Sequence, residues 1–294
     1  MQVFQVEMQS AYHRDMAFTP DGRFLAVAAQ EFTLLDTAGG RPRLFPELGD
    51  MLCGFAFIRD GTELVYRVLF GSVEVFQLSN RKKRRLSFLN ADPWAVGADP
   101  STDAVFVSVY NFRSSKSEIR LLRTANMKRR VSFAPVNDYI ERLIVSADGR
   151  WLAGQATNNT LRVWRVDGPE LPSRASLCVK TRLPPNDIAL SRDGTRFASV
   201  NTSGLDIWSI PSGEHLHFGS HRRAVTTVAF SPTQPVLVTG DNGGKVFLWD
   251  YTGRVLTRYN WGLAHVCGLC FAPDGLRCAA VDAKGKVVVW DVDV

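Results

Sequence analysis

Long apolar runs are missing from this chain. Although 45% of its 294 residues are hydrophobic, no stretch approaches the ~20 residues needed to span a bilayer, so a transmembrane segment is not expected. Residues Met1 to Ser10 carry neither the basic start nor the apolar stretch of a signal peptide, and a cytoplasmic protein is the expectation. Cysteine is scarce and odd in number: Cys53, Cys178, Cys267, Cys270 and Cys278 lie scattered in apolar segments. That usage argues against a disulfide framework and for a reducing compartment. Cys267 and Cys270 form a CxxC, but the second pair of a zinc site is absent. Their odd separation within an expected strand sends the two side chains to opposite faces, so core packing is expected of them.

Histidine is equally sparse, with His13, His215, His217, His221 and His265. His215 and His217 fall on one face of an expected outer strand, and His221 follows four residues on. No carboxylate or cysteine of suitable spacing completes a ligand set, so neither a metal nor a cofactor is expected. Nucleophile-elbow, P-loop and dinucleotide fingerprints are all lacking. Asp-rich turns such as Asp241-Asn242 lack the ligand count of a calcium loop. No catalytic residue is assigned, and the chain is not expected to be an enzyme. Helical periodicity long enough to compete with strands is also absent.

What is present is a repeat. A turn signature of the form apolar-x-[PRA]-D-G recurs as FTPDG ending at Gly22, FIRDG at Gly61, VSADG at Gly149, LSRDG at Gly194 and FAPDG at Gly275. Degenerate copies fill the gaps at Ala98–Asp103 and Phe230–Pro235. Each is followed by a short apolar run, a polar or Gly-rich turn, and an alternating strand. The strands end in a large apolar residue: Leu35, Phe76, Leu122, Trp164, Trp208, Trp249 or Trp290. Period-2 alternation with turn chemistry at both ends is a β-meander signal. Seven copies in one chain give a spacing inside the ~40–45-residue period of propeller blades. The fold class expected is all-β, a seven-bladed β-propeller of four-stranded antiparallel blades forming one domain over 1–294. Its repeats run at about 15–52, 53–92, 93–138, 139–185, 186–223, 224–264 and 265–294 plus 2–9. The last copy ends one strand short, and the alternating Val3–Met8 segment can supply its outer strand.

The copies Ser231–Asp250 and Ala272–Asp291 close on Trp249-Asp250 and Trp290-Asp291, and along its whole length the chain resembles the WD-repeat (WD40-type) β-propeller family. The resemblance implies a polar tetrad in each complete blade: a His before the first strand, a Ser/Thr on the second, an Asp in the following turn, and the Trp. Only the sixth copy is nearly complete, with His221, Thr239, Asn242 in the Asp position, and Trp249. In the seventh, Gly262 stands in the His place and His265 is offset by three, so most blades are expected to be held by packing. Family resemblance further implies a non-catalytic scaffold for a protein or peptide partner, as a monomer or a subunit of a larger complex. Its narrower top face would carry the contacts, at Tyr12, His13, Arg14, Tyr110, Asn201, Arg222, Arg223 and Lys284. The insertion Asn111–Glu118 lengthens one of the turns there and is expected to be polar and mobile.

The formal net charge is +6, a modest basic excess that bears on solubility and non-specific partners. It concentrates in two runs at equivalent places in copies two and three: Arg81, Lys82, Lys83, Arg84 and Arg85, then Lys128, Arg129 and Arg130. Each should form an outer strand and the turn into it. The alternative reading is therefore a basic rim for an anionic partner such as nucleic acid, an acidic protein or a membrane surface. Protection of exposed strand edges accounts for the same charges without a partner, and few aromatics are interleaved for base stacking.

Overall fold

The computed structural model describes residues 1–6, 15–28, 31–39, 41–48, 52–68, 72–86, 88, 91–114, 116–124, 128–167, 172, 174–219 and 221–292, with the side chains of Cys53 and of residues 128–135 also outside the description. Seven four-stranded antiparallel sheets account for nearly all regular structure. The chain is an all-β, seven-bladed β-propeller. No helix among the described residues is long and apolar enough to cross a membrane.

Two compact units divide the chain: Met1–Asp50 with Pro185–Val294, and Met51–Pro184. The first holds blades 1, 5, 6 and 7. Blade 1 is Met16–Phe18, Phe24–Ala28, Phe32–Asp36 and Arg43–Phe45. Blade 5 is Asp187–Leu190, Arg196–Asn201, Gly204–Ser209 and His215–Phe218. Blade 6 is Val225–Phe230, Val236–Asp241, Lys245–Asp250 and Val255–Asn260. Blade 7 is Val266–Phe271, Arg277–Asp282, Lys286–Asp291 and, as its outer strand, Gln2–Gln5. That last pairing is antiparallel, from Gln2 opposite Val289 to Gln5 opposite Lys286, and it covers an edge that would otherwise expose unpaired backbone groups.

The second unit holds blades 2, 3 and 4. Blade 2 is Leu52–Ile58, Glu63–Val68, Val73–Gln77 and Lys83–Leu86. Blade 3 is Ala91–Ala98, Ala104–Asn111, Lys116–Arg123 and Lys128–Val136, and blade 4 is Ile140–Val145, Trp151–Ala156, Thr160–Arg165 and Leu177–Lys180.

The recurring D-G turns work as their chemistry requires. Gly22, Gly61, Gly149, Gly194 and Gly275 all have φ between 65° and 81°, a region open to glycine at little steric cost. Where a hydroxyl stands two residues before the Asp, it donates to that carboxylate: Thr19 to Asp21, Ser146 to Asp148 at 2.6 Å and Ser191 to Asp193 at 2.8 Å. Each Asp then accepts the backbone N–H two residues on, as Asp148 does from Arg150 at 3.0 Å. Blade 2 has Ile58 in the hydroxyl position, and its turn instead places both Arg59 and Asp60 at positive φ.

Apolar side chains from successive blades interlock inside each unit. Val65, Val75, Val105 and Val107 join blades 2 and 3, and Phe106, Ile119, Leu152 and Trp164 join blades 3 and 4. In the other unit, Leu205, Leu237 and Trp249 join blades 5 and 6, Leu248 and Trp290 join 6 and 7, and Val287 and Leu25 join 7 and 1. All seven large residues closing the third strands are buried. The insertion expected as a mobile turn at Asn111–Glu118 is used otherwise. Strands of eight residues extend the hairpin until Asn111 pairs with Lys116, so the extra length goes into sheet.

Candidate functional site: a cationic cleft on blade 6

Blade 6 is organised around a buried polar chain. Trp249 Nε1 donates to Thr239 Oγ1 at 2.8 Å, and that hydroxyl lies 2.7 Å from His221 Nε2. His221 Nδ1 lies 3.0 Å from Asp241 Oδ2. A carboxylate only accepts, so Nδ1 carries the proton, and Nε2 then accepts from the Thr239 hydroxyl. Every member is satisfied in one direction, from indole through hydroxyl and imidazole to carboxylate. The acidic member is therefore Asp241 and not Asn242, which the sequence reading had put there. Asp241 is the last residue of the second strand and faces His221. Asn242 is already in the turn, where its N–H donates to Ala224 O.

Burial pushes the Asp241 carboxyl up. The hydrogen bond from His221, the N–H groups of Lys245 and Gly243 and the nearby imidazole outweigh it and hold the group below its ordinary value of 3.8. The Gly244 turn has φ +82°, and a Cβ there would lie 2.0 Å from Leu263 O, so only glycine fits.

The other blades show why the chain is not repeated. Gly154 in blade 4 and Ala280 in blade 7 occupy the register position that Thr239 holds in blade 6. Blade 5 has Ser199 there, with no partner for its hydroxyl. Trp290 Nε1 likewise has none, and its ring packs on Trp261 at 4.3 Å and Tyr259 at 5.6 Å. Asp282 keeps the turn role alone, accepting N–H groups from Ala264, Lys284 and Lys286.

Over the blade-6 chain opens a cleft of about 580 Å³ lined by Arg222, Arg223, Asp241, Gly243, Lys245, Phe247, Arg258, Tyr259 and Asn260. Arg222 and Arg223 come from the loop that follows His221 and leads into the first strand. Lys245 opens the third strand, and Arg258 lies on the outer strand directly opposite Phe247. The Arg258 guanidinium sits 5.4 Å from the centre of the Phe247 ring, which also stacks on the His221 imidazole at 4.0 Å and meets Trp249 at 5.9 Å. Arg222, Arg223, Lys245 and Arg258 are exposed, and no carboxylate among the described residues forms an ion pair with them. The one acid in the cleft, Asp241, is engaged by His221. Four cations without ion pairs among the described residues, beside aromatic walls, give the cleft the chemistry that attracts anionic groups.

The remaining expected positions fall elsewhere. Tyr12, His13 and Arg14 lie outside the described residues. Lys284 is exposed on the blade-7 turn and is not part of the cleft. Asn201 is buried, donating to Asp206 and accepting from Ser203, so it offers nothing to a partner. Tyr110 belongs to a separate aromatic group in the other unit.

His215 and His217 lie on the outer strand of blade 5, partly exposed, and both bond to Asp206 Oδ1, at 2.8 and 2.9 Å. This carboxylate is invisible to spacing along the chain because it lies across the sheet, in register with His217. Sequence reading also missed Lys245 and Arg258, which strand pairing brings to the arginines.

Of the basic runs, Arg81 and Lys82 precede the outer strand Lys83–Leu86 of blade 2, and Lys128, Arg129 and Arg130 open that of blade 3. The side chains of the second run are outside the described residues. In the first, Arg84 bonds to Glu63 at 2.8 Å and to Thr124 O at 3.1 Å. Lys83 lies 4.0 Å from Glu74, whereas Arg85 and Lys82 are exposed. Cys267 falls at a bulge in its strand and is partly exposed, and Cys270 packs on the blade 7–1 core, its thiol pushed up by burial.

Comparison with known proteins agrees with this architecture. The family model "WD domain, G-beta repeat" matches residues 213–250 and 256–291, which span the outer strand of blade 5, nearly all of blade 6 and the first three strands of blade 7. Eukaryotic translation initiation factor 3 subunit I of Pyricularia oryzae is 32% identical over 103 residues, 33% of this chain and 30% of that protein. Protein LST8 homolog of Drosophila melanogaster is 24% identical over 173 residues, 55% of each chain. Human apoptotic protease-activating factor 1 is 29% identical over 153 residues, 46% of this chain and 11% of that protein. The chain thus spans at most about half the length of these relatives. A chain in the crystal structure of the mitotic checkpoint complex superposes with a TM-score of 0.80 at 14% identity, covering 100% of this chain and 95% of that one. With seven four-stranded blades, the last completed by the first strand, and a polar chain in blade 6, the protein is a seven-bladed β-propeller that carries WD repeats at residues 213–250 and 256–291 and is similar to WD-repeat proteins.

Proposed function

We propose that this protein is a non-catalytic interaction scaffold of the cytoplasm, and that the blade-6 cleft receives an acidic segment of a protein partner. The observation that carries the reading is the convergence of Arg222, Arg223, Lys245 and Arg258 with no carboxylate paired to them among the described residues. Strands and a satisfied polar chain fix the backbone that carries Lys245 and Arg258 and the start of the loop that carries Arg222 and Arg223. Relatives that are subunits of an initiation factor or occur in a checkpoint complex support a role inside a larger assembly. The basic rim is the weaker reading, because Arg84 is already paired with Glu63.

The test is fluorescence anisotropy of a rhodamine-labelled, glutamate-rich peptide. The double variant Arg222→Glu/Arg223→Glu should weaken binding at least about tenfold, since like charges now face the peptide. Lys82→Glu/Arg85→Glu should leave it unchanged. Affinity should fall steeply as salt is raised. Equal binding by wild type and the Arg222/Arg223 variant would remove the cleft from consideration, and loss in the rim variant alone would establish the alternative.

A further inference from the structure

A second surface has a different chemistry and lies wholly within the Met51–Pro184 unit. Trp94 enters the first strand of blade 3 at a break in register between Pro93 and Ala95. Such a bulge turns a side chain out of the regular alternation. The Trp94 ring lies 4.5 Å from Tyr139, just ahead of blade 4. Tyr139 stacks on Tyr110 at 4.7 Å and 28°, and Tyr110 meets Phe112 edge-on at 5.8 Å. Four aromatic residues from three separate segments thus form one continuous group. It is not a closed core: Phe112 at its end is 62% exposed, and both tyrosines and Trp94 are only half-buried.

Local electrostatics select the sign of a ligand. Burial raises the Tyr139 phenol, as do Tyr110, Asp92 and Asp138 in turn, so both carboxylates act on the hydroxyl at the centre of the group. Asp138 is held in place by the hydroxyl of Thr157 and the N–H groups of Asn158 and Tyr139. Asp92 forms no hydrogen bond or ion pair among the described residues. A nucleobase would find stacking faces here but would bring phosphates against two carboxylates. A guanidinium suits both features, because it stacks flat on an aromatic face and pairs with a carboxylate through its fork of N–H groups.

We infer that Trp94, Tyr110, Phe112 and Tyr139, with Asp92 beside them, form a docking platform for an arginine side chain of a partner protein. The platform is independent of the blade-6 cleft: it takes a ligand of opposite charge, so either can fail without the other.

The experiment is an NMR titration of the intact protein, labelled with ¹⁵N, following the Trp94 indole N–H signal assigned by its loss in Trp94→Phe. The probes are three short Gly-Ser peptides carrying a single arginine, leucine or glutamate, and a single-stranded oligo-dT. The arginine peptide should shift the signal saturably, and the leucine and glutamate peptides should not. Phe112→Ala, which removes an exposed ring, should weaken the arginine peptide by about two- to fivefold, the range expected of one exposed cation–π contact. Asp92→Asn should weaken it by a similar factor and reduce its salt dependence. An equal response to the leucine peptide, a response only to oligo-dT, or none to the arginine peptide would overturn the assignment. So would full retention of binding in both surface variants.

Discussion

Thr239→Val is the sharpest probe of how blade 6 is held. Valine has nearly the shape of threonine, so packing around the site is preserved, while the hydroxyl disappears. That hydroxyl serves two neighbours, accepting from Trp249 Nε1 at 2.8 Å and donating to His221 Nε2 at 2.7 Å. Thr239 and Trp249 are fully buried, and the His221 side chain is only 1% exposed, so water cannot replace it. Leaving a buried polar group unpaired costs about 1–3 kcal/mol, and two such groups place the expected loss at about 2–5 kcal/mol. Thr239→Ser keeps the hydroxyl and removes a methyl, which costs about 0.5–1.5 kcal/mol by the precedent of single-methyl deletions. Urea unfolding followed by circular dichroism should therefore rank wild type above Thr239→Ser above Thr239→Val. Packing alone gives the reverse order of the two variants, because valine fills the space and serine does not. Finding serine the worse substitution, or valine within about 0.5 kcal/mol of wild type, would refute the polar-chain account.

Three further outcomes follow from the same geometry. Gly244→Ala should cost at least about 2 kcal/mol, since a methyl at φ +82° meets Leu263 O at 2.0 Å, whereas Gly262→Ala, at φ +62° with only Lys286 Nζ at 4.0 Å, should cost about 1 kcal/mol; similar melting temperatures for the two would contradict this. Deleting residues 1–6 bares the strand Lys286–Asp291 and should lower the melting temperature and produce concentration-dependent association in size-exclusion chromatography; an equally stable monomeric truncation would show the outer strand to be dispensable. Asp241 is held below 3.8, so its contribution is complete above about pH 5 and is lost as pH falls through the folded value. Asp241→Asn should accordingly be destabilised at neutral pH with a shallower decline below about pH 4, and a parallel decline in both proteins would exclude the carboxylate as a source of the acid limb.

The blades were legible in the sequence because each is a local object. A D-G turn, an alternating strand and a terminal large apolar residue lie within about twenty consecutive positions, and the physics that joins them acts over the same distance. The outer strand Gln2–Gln5 was legible for a different reason, since an incomplete last repeat leaves an edge that needs a partner. What was not legible depends on register between strands. Asp206 reaches His215 and His217 across the sheet, and Arg258 reaches Phe247 across a strand pair. The tetrad acid was displaced by one because position in a turn does not reveal whether the side chain points back at His221 or away; Asp241 is the last residue still in the strand. Asn201 was misjudged on similar grounds: its place at a turn suggested exposure, but its amide is turned inward to Asp206.

Charge is where the sequence and the structure part most usefully. Counting cations along the chain singles out Arg81–Arg85, the densest basic run, and passes over Lys245 and Arg258, neither of which has a cation beside it in the sequence. Availability to a partner depends instead on what each cation already faces. Arg84 faces Glu63 and a backbone carbonyl, within a network where Arg59 also approaches Glu63 at 3.4 Å and Arg123 pairs with Asp103 at 3.0 Å. Drawing Arg84 to an external anion would leave Glu63, whose side chain is 8% exposed, without its closest counter-charge, and that loss opposes binding. Among the described residues no such opposition exists at the blade-6 cleft, where the one lining carboxylate is bound to His221 and the four cations form no ion pair. A sparse set of unpaired charges is therefore expected to compete better for an anion than a denser run in which Arg84 is already engaged, and binding should follow the pairing of the cations and not their number.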